Sequence, residues 1–414
     1  MLQYLSERGK KWVRTLPPLV KAHFDNFYNM YDKKTNPNGL INMGTAESHL
    51  VNKEVCDLLK VVGNRMELTG LNIHYNKFEG SEEFRDAIAK YWQKVIFGED
   101  SEVVITKNNV ATCAGCTVAL ESLATLLAEP GDVFLIPAPY YSGFIDDINE
   151  RAGVEAVGVP CGVDLARELF EEAWEEQTKL GKRVRAVLFA SPNNPIGTVY
   201  KPEAVKNVID FAMAHNLDII SDEIYAQTVF DPDAKYVSTL KLVPAEYRHR
   251  VHVTSSFAKD FVLSGFRTGI CISFNPAIIQ GMGSITYYSS VSSHTQGLLT
   301  EMLKAPELPE IMQLSRDRLR TAYHIIEKGL NDIGIKTMKA EAGIFIFADF
   351  SPYMDKLEFE AEHTLWEKIY NDLMINVSPG QLFGADRPGM FRLCYAFEEE
   401  TVKEACRRLA TLKK

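Results

Sequence analysis

The sequence predicts an α/β fold: a mostly parallel sheet covered by helices, with a smaller α+β unit beside it. Three observations carry this. Short apolar, β-branched runs alternate with helical patterns through the middle of the chain. One of these runs, at 184–191, is nearly all apolar, as a strand covered on both faces should be. After about residue 306 the order changes to one long helical segment followed by a different succession of strands and helices.

Taken in order, residues 103–106 read as a short apolar strand. Residues 115–128 have helical spacing, with Leu120, Leu123, Ala124 and Leu127 on one face. Pro130, Gly131 and Asp132 make a turn before a strand at 133–137. Further strands are expected at 154–160 and 184–191, then a helix at 202–215 and a strand at 217–221. Strands at 251–255 and 269–274 complete the set. The smaller unit has a helix at 311–333, strands at 335–340, 344–350 and 390–395, and helices at 363–373 and 401–412. The expected division is a large domain at 61–305 and a small one built from 1–60 and 306–414.

The chain has 414 residues, 46% of them hydrophobic, enough for a large core. Its net charge of −10 is interspersed, so no nucleic-acid partner is expected. Arg8, Lys10, Lys11 and Arg14 alternate with single apolar residues near the start, unlike the apolar core of a signal peptide. No apolar run reaches membrane-spanning length. Seven cysteines, an odd number scattered along the chain, suggest reduced thiols and a cytoplasmic setting. Cys113 and Cys116 form a lone Cys-x-x-Cys. With no second pair and no closely spaced histidines, a metal is not expected.

Chemistry concentrates after the run at 251–255, where Ser256, Lys259 and Arg267 follow. A lysine at the end of a buried strand loses hydration, so its amine is more often neutral and nucleophilic. A serine and an arginine nearby can grip a phosphate, the arginine through two charge-assisted hydrogen bonds. An aldehyde that carries a phosphate, pyridoxal 5'-phosphate (PLP), suits both. By itself the stretch also fits an ordinary strand followed by a solvated lysine and arginine. Upstream, Ser191, Pro192, Asn193, Asn194, Pro195, Ile196, Gly197 and Thr198 follow a buried strand, at the edge where open α/β sheets place ligands. A plain loop would use the same residues. Asp222 ends another strand, where a carboxylate can hold a pyridine nitrogen protonated or simply cap a helix.

In this order, Asn194-Pro-x-Gly-Thr198, Ser221-Asp-Glu-x-Tyr225, then Ser256-x-x-Lys259 and Arg267 resemble the fold-type I PLP enzymes of the class I/II aminotransferase family. The resemblance runs from about Ile41 to the C-terminus. It implies that Lys259 forms the Schiff base with PLP and shuttles the substrate proton. It implies that Asp222 pairs with the pyridine nitrogen and that Asn194 and Tyr225 hydrogen-bond the phenolic oxygen. Ser256 and Arg267 would bind the phosphate, together with Gly115, Cys116 and Thr117 at a helix N-terminus. Cys116 then belongs to a phosphate cradle rather than to a redox pair with Cys113. Arg392 matches the arginine that binds the α-carboxylate of an amino-acid substrate.

A narrower resemblance is to 1-aminocyclopropane-1-carboxylate (ACC) synthases, carried by residues 41–48, 139–144, 289–296 and 378–380. It implies that Tyr140 stacks on the PLP ring, that Tyr141 faces the substrate, and that Glu47 favours a sulfonium by charge attraction. It also implies a homodimer with shared active sites. The chain departs from that group at Phe78, where a tyrosine hydroxyl would reach the partner's phosphate, and at Ser48 and Ala258. The expected function is a PLP-dependent carbon–heteroatom lyase, most simply carbon–sulfur. It would act on S-adenosylmethionine or another sulfur-bearing α-amino acid. An amino-acid aminotransferase is the alternative. A non-catalytic regulator built on the same fold is disfavoured by the presence of Lys259, Asp222 and Arg392.

Overall fold

The computed structural model describes residues 2–13 and 16–413; Arg14 lies outside them. Its strands, in chain order, are β1 Ile41–Asn42, β2 Val110–Cys113, β3 Val133–Pro137, β4 Glu155–Val159, β5 Val184–Ala190, β6 Asp218–Asp222 and β7 Val251–Ser256. They continue with β8 Gly269–Ser273, β9 Lys336–Thr337, β10 Phe345–Asp349, β11 Ile375–Asn376, β12 Ser378–Pro379 and β13 Met390–Cys394.

The main sheet has seven strands in the order β2-β8-β7-β6-β5-β3-β4. Only β8 runs against its neighbours; all other pairings are parallel. Alternate residues feed two cores. Leu135, Val187, Phe189, Ile219 and Val253 pack on one face, and Ile136, Ala186, Leu188 and Ile220 on the other. Each face is closed by helices, which is why the middle residues of β3, β5 and β6 are apolar on both faces. Helix Cys116–Leu127 buries Leu120, Leu123 and Ala124, the stripe that its spacing predicts.

One expected strand is absent. Residues 103–106 are irregular, although Val103 and Ile105 are buried. Their backbone is bonded by a side chain instead of a neighbouring strand: Gln93 Nε2 donates to Val103 O and Gln93 Oε1 accepts from Ile105 N. Thr106 then caps a short 3-10 turn at Lys107–Asn109, and the edge strand begins only at Val110. The expected strand at 335–340 shrinks likewise to β9.

A second sheet, β12-β13-β10-β9, is antiparallel. It packs on helices Leu308–Asp332 and Glu399–Leu409 through Leu319, Ile326, Leu330, Ala405 and Leu409. Ile224, Tyr225 and Phe230, from the loop after β6, insert into this same core. The loop that follows Asp222 therefore ties the two sheets together. Among the described residues, no helix is long and apolar enough to cross a membrane.

Candidate active site

β5, β6 and β7 are adjacent and parallel, so their carboxyl ends share one edge of the main sheet. The loop with Asn194 leaves β5, Asp222 ends β6, and Ser256 ends β7, with Lys259 in the turn beyond. Arg392 arrives from β13, in the second sheet. The predicted residues thus meet between the two sheets.

Asp222 sits opposite Thr254 in register. Its Oδ1 accepts from Thr254 Oγ1 at 3.2 Å and from Cys116 Sγ at 3.5 Å. Burial pushes its carboxyl up to about 7, against those donors and the Ile224 amide. Lys259 Nζ donates to the carbonyl of Ala46. Burial lowers the lysine's pKa, the nearby Glu47 opposes this, and the charges of Arg392 and Arg267 add to the lowering. A neutral amine and a buried acid are therefore both favoured before any ligand enters.

The other end of the cleft is built from backbone. Ser256 pairs with Gly269 across β7 and β8. A Cβ on Gly269 would lie 2.4 Å from the carbonyl of Gly115, so the strand presses on the start of helix Cys116–Leu127. Gly115 has φ of 97°, and a Cβ there would meet Arg267 Nη2 at 2.5 Å. Glycine is required at both points. Ser256, Arg267 and a helix N-terminus thus converge. Thr117 is exposed there and hydrogen-bonds Asp147. Cys113 Sγ turns instead to Gly115 O at 3.3 Å, away from Cys116.

Arg392 is buried, and burial lowers its pKa. Nη2 donates to Gly44 O at 2.7 Å and Nη1 to Asn194 Oδ1 at 3.2 Å. Its guanidinium stands over the rings of Phe383, at 4.7 Å, and Phe345, at 5.3 Å. Tyr225 lies edge-on to Phe345.

The tandem tyrosines have different surroundings. Tyr140 N is bonded to Phe383 O at 2.9 Å, and its ring lies on Gly158 and Gly384, away from Asp222. Tyr141 folds back over Gly143 and packs edge-on against Phe144. Its hydroxyl feels the charges of Asp147, Arg392 and Asp222, and burial raises its pKa. Tyr141, rather than Tyr140, therefore stands beside the Asp222 end of the cleft. Glu47 does not cap a helix, since the next one begins at Asn52. Its Oε1 accepts from Ser264 Oγ at 2.6 Å. Thr45, Glu47 and His49 also border a cavity of about 1060 Å³ beside helix Leu308–Asp332. None of Asp222, Lys259 or Arg392 lines it, so the chemistry belongs to the cleft and not to that cavity.

Three features of this arrangement fit PLP with an amino-acid substrate. The buried Arg392 Nε has no partner, leaving a donor for a carboxylate. Asp222 gains from a cation placed against it. The Gly115 turn holds a helix N-terminus open beside Arg267. Sequence reasoning did not find Thr254, which orients Asp222, or Ser264, which holds Glu47. Both depend on which segments become neighbours, and no local pattern encodes that.

A family model described as aminotransferase class I and II matches residues 39–409. The 1-aminocyclopropane-1-carboxylate synthase of Nicotiana tabacum is 34% identical over 90% of this chain and 79% of its own. 1-Aminocyclopropane-1-carboxylate synthase 5 of Arabidopsis thaliana is 33% identical over 92% of this chain and 85% of its own. Aspartate aminotransferase from Thermus thermophilus, solved with maleate, superposes with a TM-score of 0.81 over 99% of both chains at 22% identity, a likeness of fold. Motif order, cleft geometry and these matches agree: this chain belongs to the PLP-dependent class I and II aminotransferase family, in its ACC synthase-like group.

Proposed function

We propose that this protein is a carbon–sulfur lyase acting on S-adenosylmethionine or another sulfur-bearing α-amino acid. The observation that carries the reading is Glu47, a carboxylate fixed by Ser264 next to the carbonyl that holds Lys259. Simple transamination of an α-amino acid needs no anion at that place. A substrate with a positive sulfur is attracted to one.

PLP, when bound, supplies an aldehyde that takes up the substrate amine and a ring that accepts the electrons of the α-carbon. Asp222 keeps the ring nitrogen protonated. Thr254 and Cys116 hold that carboxylate in one orientation. Ser256, Arg267 and the amides at Gly115, Cys116 and Thr117 bind the phosphate. Asn194 and Tyr225 would donate to the phenolic oxygen, and Tyr141 would help to wall the site beside them. Arg392 binds the substrate carboxylate with the donor that now lacks a partner. The amine of Lys259 removes the α-proton, and burial, by lowering its pKa, favours the neutral form that can accept it. Glu47 steadies the sulfur as its bond to carbon breaks.

The test is product analysis with S-adenosylmethionine. Release of methylthioadenosine supports the lyase, whereas turnover that requires a keto acid supports an aminotransferase. Replacing Glu47 by Gln should lower elimination about tenfold while transamination of the same substrate holds, the scale of one partly screened charge contact. Tyr141→Phe should act in the same direction. A proportional fall in both activities would remove these two residues from reaction choice.

We also infer a homodimer. Leu71, Ile73 and Tyr75 are exposed, as are Tyr287 and Tyr288, and Tyr287 packs on Phe78 at 4.9 Å. Exposed apolar side chains in such number mark a surface that needs cover. Tyr75 is 98% exposed, free to supply the hydroxyl missing at Phe78. Sedimentation at micromolar concentration should show a dimer, and a stable active monomer would contradict it. A cytoplasmic setting is proposed with it, since none of the seven cysteines is in a disulfide.

A further inference from the structure

Beneath the cleft, a buried polar chain joins the Lys259 turn to the loop that carries Tyr225. Asp260, the residue after Lys259, is 2% exposed, and Gln227, two residues after Tyr225, is 5% exposed. Asp260 Oδ1 accepts from the backbone N–H of Gln227 at 3.2 Å, and Oδ2 accepts from Gln227 Nε2 at 3.3 Å. The hydroxyl of Tyr91, on helix Glu82–Trp92, donates to Gln227 Oε1 at 2.7 Å. Gln227 thus presents two donors, its backbone N–H and Nε2, to one carboxyl group, while its Oε1 accepts from Tyr91. Nothing in the proposed reaction uses these three side chains.

We propose that Asp260, Gln227 and Tyr91 form a positioning clamp that sets the distance between Lys259 and Tyr225. The clamp rests on the reading given above for Lys259 and Tyr225. Its two grips on Gln227, one through backbone and one through side chain, limit both sliding and rotation of the loop. The far side of the loop is held too. Thr228 Oγ1 donates to Tyr225 O at 2.7 Å and accepts from Gly343 N at 2.8 Å. Tyr225 is therefore pinned from both sheets, and the Asp260 grip is the one that refers it to Lys259. A buried network of this kind holds only when every member is satisfied. Asp260→Asn keeps the volume but offers an amide donor where Gln227 already donates. Gln227 must then turn over, or one donor is left buried and unpaired.

The test uses the PLP-loaded enzyme. A hydroxyl at Tyr225 that donates to the phenolic oxygen stabilises its anionic form, so it holds down the pH at which the lysine-bound cofactor's absorbance titrates. Tyr225→Phe should raise that pH. Asp260→Asn should raise it in the same direction by roughly one unit and lower kcat about tenfold, with KM changed less than about twofold, the pattern of misplaced groups and not of lost binding. Tyr91→Phe, which spares the Asp260 contacts, should give a smaller shift of the same sign. If Tyr225→Phe shifts the titration and a folded Asp260→Asn does not, the clamp is overturned while the reading of Tyr225 stands. If Asp260→Asn changes thermal stability and kcat with no change in the titration, the role is structural only and the clamp is likewise overturned. If Tyr225→Phe itself leaves the titration unchanged, the role given to Tyr225 fails and the clamp fails with it.

Discussion

Replacing Lys259 by alanine should abolish turnover, with kcat down by about four orders of magnitude or more. The loss is large because three demands fall on one amine. On the proposed reading it would hold the cofactor aldehyde, yield it to the substrate amine, and serve as the base for the α-proton. The structure prepares it for all three. Burial lowers its pKa, and among the described residues its ammonium hydrogen-bonds to the Ala46 carbonyl, a partner without charge that does not hold a proton on the nitrogen as a carboxylate would. The variant should still bind PLP through Asp222, Arg267 and the helix N-terminus, yet lack the absorbance of the lysine-bound form. Measuring bound PLP, the spectrum and turnover together separates the outcomes. Normal turnover in a folded Lys259→Ala protein would refute the assignment.

Much of this site was legible in the sequence because strand ends are. A buried parallel strand is largely apolar, so the cores of β5 and β6 and the β-branched start of β7 stood out, and the polar residues near the end of each had to lie at one edge. That logic reached Asn194, Asp222, Ser256 and Lys259. Arg392 came from motif resemblance, since nothing local marks its strand as facing the cleft. The sequence misled where a side chain replaced a strand partner, as Gln93 does for Val103 and Ile105. Nor does it distinguish the surroundings of Tyr140 from those of Tyr141. Two adjacent identical residues must point in different directions, and here a backbone bond to Phe383 and the space over Gly158 and Gly384 decide which one turns away. Thr254, Ser264 and the Asp260 clamp were invisible for a related reason. Each acts on a residue far from it in the chain, and only the sheet order brings them together.

Asp222→Asn is the second change expected to have a large effect, and it also tests the site without substrate. Asn keeps the shape and the capacity to accept from Thr254, but it cannot hold a ring nitrogen protonated. Loss of that electrostatic support should lower kcat by about two to three orders of magnitude. The same carboxyl makes a prediction for the cofactor-free protein. Its pKa rises from 3.8 to about 7 on folding, so between those values the folded state holds a proton that the unfolded state has lost. Stability therefore falls as pH rises through that window, by roughly a few kcal/mol at most. PLP should reverse this, because a protonated ring nitrogen stabilises the anion and brings the pKa back down. Thermal unfolding at pH 5 and pH 8 checks the argument. The cofactor-free wild type should lose more stability between the two than either the PLP-loaded protein or cofactor-free Asp222→Asn. Other buried acids, Asp260 and Glu223 among them, are also pushed up by burial, but they are common to wild type and variant, so the difference between the two isolates Asp222. Equal slopes in wild type and variant would show that the carboxyl is ionised without a partner, and its elevation by burial would be refuted.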